Sequence, residues 1–174
     1  TASARHAAQA SRTGSPARRA AWALNRVSVA YSSLENPTQA CASTEQALEI
    51  AAHSGAQEVL FSCHNNLAYF WLRRVEDARS LGSDATVLAE ALASACRTAE
   101  QATELARQSG SPFQVAVAAS NLVSALLAGG RLDEALPLLN EFGHIAHDHG
   151  YDTLAVEADV QRAVFLRLKG EPQQ

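Results

Sequence analysis

The chain has 174 residues, a formal net charge of −4 and 47% hydrophobic residues, enough for one domain with a continuous core. It has no basic block, no sustained acidic run and no apolar stretch of the roughly 20 residues that a membrane span needs, which argues against nucleic-acid and membrane partners. Alanine makes up about a fifth of the residues and β-branched runs are absent, so helix is favoured nearly everywhere.

Along the chain, residues 1–13 lack the apolar core of a signal peptide and align with the second helix of a helix pair. Gly14-Ser15-Pro16 opens a first unit, 14–55, with a break at Leu34 to Pro37 and a closing Gly55. The second unit, 56–110, carries an insertion of about fifteen residues, Arg73 to Val87, holding Glu76, Asp77, Arg79 and Gly82-Ser83-Asp84. Either its first helix runs on past the usual end or a loop projects from the edge. Ser83 or Asp84 is placed to cap the long helix that ends at Ser109.

The third unit, 111–150, is the clearest. Pro112 suits the first turn of a helix, and Val115, Ala118, Ala119, Leu122 and Leu126 recur at helical spacing. Gly129-Gly130 stops that helix. Asp133 starts a second one, filled by Ala135, Leu136, Leu139, Phe142, Ile145 and Ala146 and closed by Gly150 in a left-handed cap. A partial unit, 151–174, ends in Gly170-Glu171-Pro172, which aligns with the turn into another helix.

These units are copies of one another. Gly14, Gly55, Gly110 and Gly150 each stand eleven residues before Asn25, Asn66, Asn121 and Gln161. The glycines are 41, 55 and 40 residues apart, and Ala47 to Ala51 before Gly55 matches Ala102 to Ala106 before Gly110. A repeating helix pair cannot bury its apolar stripe alone, so neighbours must stack. The expectation is an all-α α-solenoid, a right-handed superhelix of helix–turn–helix repeats. The frame starts and stops inside a repeat and the sequence contains no methionine, so residues 1–174 read as one repeat domain excised from a longer protein.

Asn121-Leu122, Gly130, Ala135 and Phe142 fall where the tetratricopeptide repeat has its Asn-Leu, Gly, Ala and late apolar residue, and Ala40 and Ala95 hold the place of Ala135. The chain therefore resembles the tetratricopeptide-repeat superfamily, in the long variant found in bacterial signalling and regulatory proteins. The repeat is degenerate: the first unit lacks the turn glycine and the second has Val75 in its place. Sequences of this texture are also similar to the sensory halves of bacterial proteins with a GGDEF domain, although no GGDEF residues occur here. Such a parent would carry the output domain, a diguanylate cyclase or a transcription regulator.

The resemblance implies that the asparagine position faces a concave groove and hydrogen-bonds the main chain of an extended ligand. A carboxamide offers both donor and acceptor to a peptide group. Helical spacing adds Ser28 and Ser32 to the face of Asn25, Tyr69 and Arg73 to that of Asn66, and Ser124 to that of Asn121. The candidate site is thus Asn25, Ser28, Asn66, Tyr69, Arg73, Asn121 and Ser124, with the side chains of Asn25, Asn66 and Asn121 expected to be largely free of partners within the protein. Arg18, Arg73 and Arg74 are candidates for bonds to a carboxylate. The alternative readings are that the asparagines tie adjacent helices together or merely sit in solvent.

Other polar groups point to no catalysis. His144 and His147 lie one turn apart, but a closed metal site needs about four ligands, and imidazoles near a helix C-terminus favour the macrodipole. His64 beside Cys63 implies no nucleophile–base pair, since adjacent helical residues point apart. Cys41 and Cys96 hold equivalent repeat positions, as small packing residues do. An odd number of cysteines without metal spacing suits a reducing, cytoplasmic setting, and thirteen arginines to one lysine suggest a GC-rich bacterial source. The expected function is a non-catalytic scaffold without cofactor or metal, binding a protein or peptide segment or another domain of its own chain. The alternative is a small-molecule-sensing module that controls an attached output domain.

Overall fold

The computed structural model describes residues 14–170. They form seven helices and no strand: α1 Pro16–Ser33, α2 Pro37–Ser54, α3 Gln57–Ser80, α4 Ala85–Ser109, α5 Pro112–Ala128, α6 Leu132–Asp148 and α7 Asp152–Lys169. The expected breaks at Leu34–Pro37, Gly55, Gly82, Gly110, Gly129–Gly130 and Gly150 all fall between helices, and Gly14 lies just ahead of α1. The reading of residues 1–13 as a helix lies outside the described residues.

Local chemistry accounts for these boundaries. Side-chain oxygens of Ser15, Asn36 and Ser111 accept the backbone N–H three residues on, at 3.1, 3.1 and 3.4 Å, with a proline in the first turn each time. Asp84 caps α4 by accepting the Thr86 N–H at 2.7 Å. Five turns end in one pattern, the N–H after a left-handed residue reaching the carbonyl five back. The pairs are Asn36 to Tyr31, Ala56 to Ala51, Ser83 to Ala78, Arg131 to Leu126 and Tyr151 to Ala146, at 2.9–3.2 Å. Four of the left-handed residues are glycines and the fifth is Glu35, at φ 55°.

The insertion is absorbed as helix. With 24 and 25 residues, α3 and α4 exceed the 17-residue α5 and α6 by seven and eight. Seven residues make almost two whole turns, so the lengthened helices keep the same faces turned to each other. The register of Val75 is corrected accordingly. It does not stand in for the turn glycine but is buried within α3, and the turn glycine of this unit is Gly82 at φ 62°.

Every helix packs on its neighbours in the chain. In addition α1 packs on α3, α3 on α5 and α5 on α7, whereas the backbones of α2, α4 and α6 stand apart, with an Arg107–Glu141 ion pair at 2.9 Å bridging α4 and α6. The described residues therefore form two layers, a closely spaced one of α1, α3, α5 and α7 and a spread one of α2, α4 and α6. This adjacent packing fits a helical repeat. Large side chains are concentrated in the core of α5–α7, around Leu122, Leu126, Leu139, Phe142 and Phe165. Between α1, α2 and α3 the buried set is split into two smaller clusters, Ala21, Ala47, Ala51, Val59 and Cys63 in one and Ala40, Cys41, Leu67 and Phe70 in the other. Alanine lets backbones approach closely but brings little apolar area to each contact.

Candidate functional site

The polar positions of the closely spaced layer meet at the helix interfaces. Between α1 and α3, Asn25 Nδ2 donates to Ser62 Oγ at 2.8 Å while its Oδ1 accepts from Asn66 Nδ2 at 3.1 Å. Between α3 and α5, Asn121 Nδ2 donates to Asn65 Oδ1 at 2.9 Å. Between α5 and α7, Gln161 Nε2 lies 3.0 Å from Ser120 Oγ and 2.9 Å from both Ser124 Oγ and Glu157 Oε1. Each junction is fastened by a carboxamide.

The expectation that these asparagine side chains are free of partners is corrected. Asn25 and Ser28 are buried, at 2% and 0% exposure, and Ser28 Oγ donates to the Asn25 carbonyl at 2.7 Å. Pairing the buried Asn25 amide avoids the cost of about 1–3 kcal/mol for an unpaired buried polar group, whereas the buried Gln161 Oε1 has no hydrogen-bond partner. Arg18 is likewise engaged, in an ion pair with Glu58 of α3, and Arg74 stacks over Trp71 with 4.4 Å from its guanidinium carbon to the ring centroid.

The remaining candidates surround open space. A cavity of about 410 Å³ between α3 and α5 is lined by Tyr69, Arg73, Glu76, Arg79, Asn121 and Ser124 among others. It runs through Arg79, Ser124, Ala128 and Glu157 into a second cavity of about 470 Å³, which reaches Gln161, Val164, Arg167 and Leu168 on α7. Tyr69 is 47% exposed. Arg73 pairs with Glu76 at 2.9 Å, and Arg79 reaches across to donate to the Ala128 carbonyl at the end of α5. Arg73, Glu76 and Arg79 all lie where the insertion begins, so the lengthened α3 builds one wall of this groove.

Two polar residues here are not legible from the repeat pattern: Asn65 and Ser120. Asn65 precedes Asn66, and adjacent helical residues point about 100° apart. A helix with a neighbour on each side can use both, one amide toward α1 and one toward α5. That tandem was the available signal.

Cysteines and histidines add no reactive constellation. Burial pushes the Cys41 thiol up to about 11, with Arg74 partly offsetting it, and the Cys63 thiol up to about 12. Burial also holds His64 below the usual imidazole range, and its Nδ1 has no hydrogen-bond partner. His144 Nδ1 lies 2.7 Å from the Asn140 carbonyl, and His149 stacks on Tyr151. Among the described residues, no three His, Cys, Asp or Glu side chains could hold a metal ion, and no helix is long and apolar enough to cross a membrane.

Compared with known proteins, the chain matches no family profile, no curated protein and no solved structure.

Proposed function

We propose that this segment is a non-catalytic binding module. It is a tetratricopeptide-like right-handed superhelix whose concave layer, α1, α3, α5 and α7, takes an extended segment of a partner protein or of another domain of its own chain. The observation that carries this reading is the continuous groove over α3, α5 and α7, in which exposed Tyr69 and Arg73 stand beside Asn121 and Ser124. Open grooves of this kind suit a chain laid across several repeats. The inter-helix amides then act as the frame, holding the floor at a set width. A cytoplasmic role within a larger bacterial signalling protein goes with this reading.

A small-molecule-sensing module is the second reading, favoured by cavity volumes that fall in the range of about 300–1,000 Å³ usual for ligand pockets.

Selection of random displayed dodecapeptides on the immobilised protein tests the first. Enriched peptides should bind Tyr69→Ala and Arg73→Ala more weakly, while the melting temperatures of both variants stay unchanged. An absence of enriched peptides, or binding that both variants leave intact, overturns it. A thermal shift with small metabolites but with no peptide would favour the second.

A further inference from the structure

We propose that the groove reads the charge of its partner along its length. The occupant is an extended peptide whose basic end lies at Glu35 and Asp77 and whose acidic end lies at Arg79 and Arg167. This inference rests on the peptide-binding reading above.

A third cavity, of about 210 Å³, lies next along α3 toward α1 and α2. Ser32, Glu35, Pro37 and Asp77 line it, and Arg73 is the residue it shares with the middle cavity. Across the three cavities charge changes sign. At the α1–α2 end Arg73 is occupied by Glu76, which leaves the carboxylates of Glu35 and Asp77 without an ion pair among the described residues. At the α7 end Arg79 and Arg167 have no carboxylate partner either. Glu157, the one acid lining that cavity, accepts from Gln161. Tyr69, Asn121 and Ser124, neutral, fill the middle. A groove with one sign of charge at each end orients a chain that carries the opposite pattern.

Glu35 supplies the independent observation. It is the only non-glycine residue with positive φ among the described residues, and the equivalent turn positions in the next two units are Gly82 and Gly130. Nothing in the turn needs the side chain, since its hydrogen bonds come from the backbone. A glutamate held in a conformation that favours glycine, at the mouth of a cavity, marks a side chain retained for what it meets. Crossing from α1 to α7 covers three helix spacings of roughly 8–10 Å each, a span for about seven to nine extended residues.

Four synthetic dodecapeptides test the inference by calorimetric titration against the full chain. They share a neutral apolar centre and carry Lys-Lys at one end with Asp-Asp at the other, Lys-Lys at both, Asp-Asp at both, or no charge. The mixed peptide should bind about tenfold tighter than the other three. Asp77→Lys should move the preference to the doubly acidic peptide and Arg167→Glu to the doubly basic one, with circular dichroism unchanged. Glu35→Gly should weaken the mixed peptide while raising the melting temperature or leaving it unchanged. Equal binding of all four peptides overturns the charge reading and leaves the binding groove standing. Binding of none overturns both. A Glu35→Gly variant that melts lower and binds normally assigns Glu35 to the turn alone.

Discussion

Asn66 on α3 donates its amide to Asn25 on α1 at 3.1 Å, and Asn25 passes its own amide on to Ser62 at 2.8 Å. The two asparagines hold the same place in consecutive units, so the repeat bonds to itself. Asn25 is the buried hub of the pair and Asn66 a half-buried arm. Replacing Asn25 by Ala strips partners from both Ser62 and Asn66 and should cost about 1–3 kcal/mol of stability, against about 0.5–1.5 kcal/mol for Asn66→Ala. Urea unfolding followed by circular dichroism measures both. The double variant should cost less than the sum of the singles, because the same bond is lost twice. An Asn25→Ala midpoint equal to that of the unaltered protein would remove the amide from the frame.

Stability should be uneven along the chain. The α5–α7 end buries Leu139 and Phe142 completely, whereas the α1–α2 end relies on Ala21, Ala40, Ala47 and Ala51. Backbone amides of α1 and α2 should therefore exchange with deuterium before those of α5 and α6. Phe142→Ala should cost about 3–5 kcal/mol and abolish the difference. Uniform protection across all helices would contradict this ordering.

Thiol reactivity should follow burial. Cys41 and Cys63 are buried and Cys96 only half-buried, and burial raises Cys41 to about 11 and Cys63 to about 12. Iodoacetamide at pH 8 with mass-spectrometric readout should label Cys96 first. Cys41 and Cys63 should react only as the protein unfolds, because the thiolate is the nucleophile and little of it forms. Fast labelling of Cys63 in the folded state would show that α2 and α3 open locally.

Acid should weaken the fold through His64. Burial lowers its folded pKa below the ordinary 6.5, so between the folded and unfolded values the unfolded chain binds more protons. The stabilisation from this group is complete above pH 6.5 and is lost as the pH falls through that value toward the folded pKa. Unfolding free energy measured from pH 8 to pH 5 should decline, and His64→Gln should flatten the decline. An unchanged slope in that variant would assign the acid sensitivity to other groups.

How much was legible in the sequence can be judged at single residues. The helix ends were legible, because a left-handed glycine such as Gly55 or Gly150, a capping Ser15 or Ser111 and a first-turn proline act over three or four residues of backbone. Apolar spacing placed Leu139, Phe142 and Ala146 in the core on equally local grounds. Val75 was misplaced because the expected turn was counted at the repeat interval, and the longer α3 moved that turn to Gly82 without disturbing the apolar phase.

What only the tertiary structure decided is where equivalent side chains point once the helices pack. Periodicity puts Asn25, Asn66 and Asn121 on one face of their helices, but the rotation and spacing of packed helices turn that face into contact, burying Asn25 and joining Asn121 to Asn65. The groove has the same origin. Glu35, the α3 residues Asp77 and Arg79, and Arg167 come from three separated stretches of chain, and no local pattern could have placed their charges together. Helix formation is settled by neighbours in sequence. The identity of exposed and paired polar groups is settled by neighbours in space.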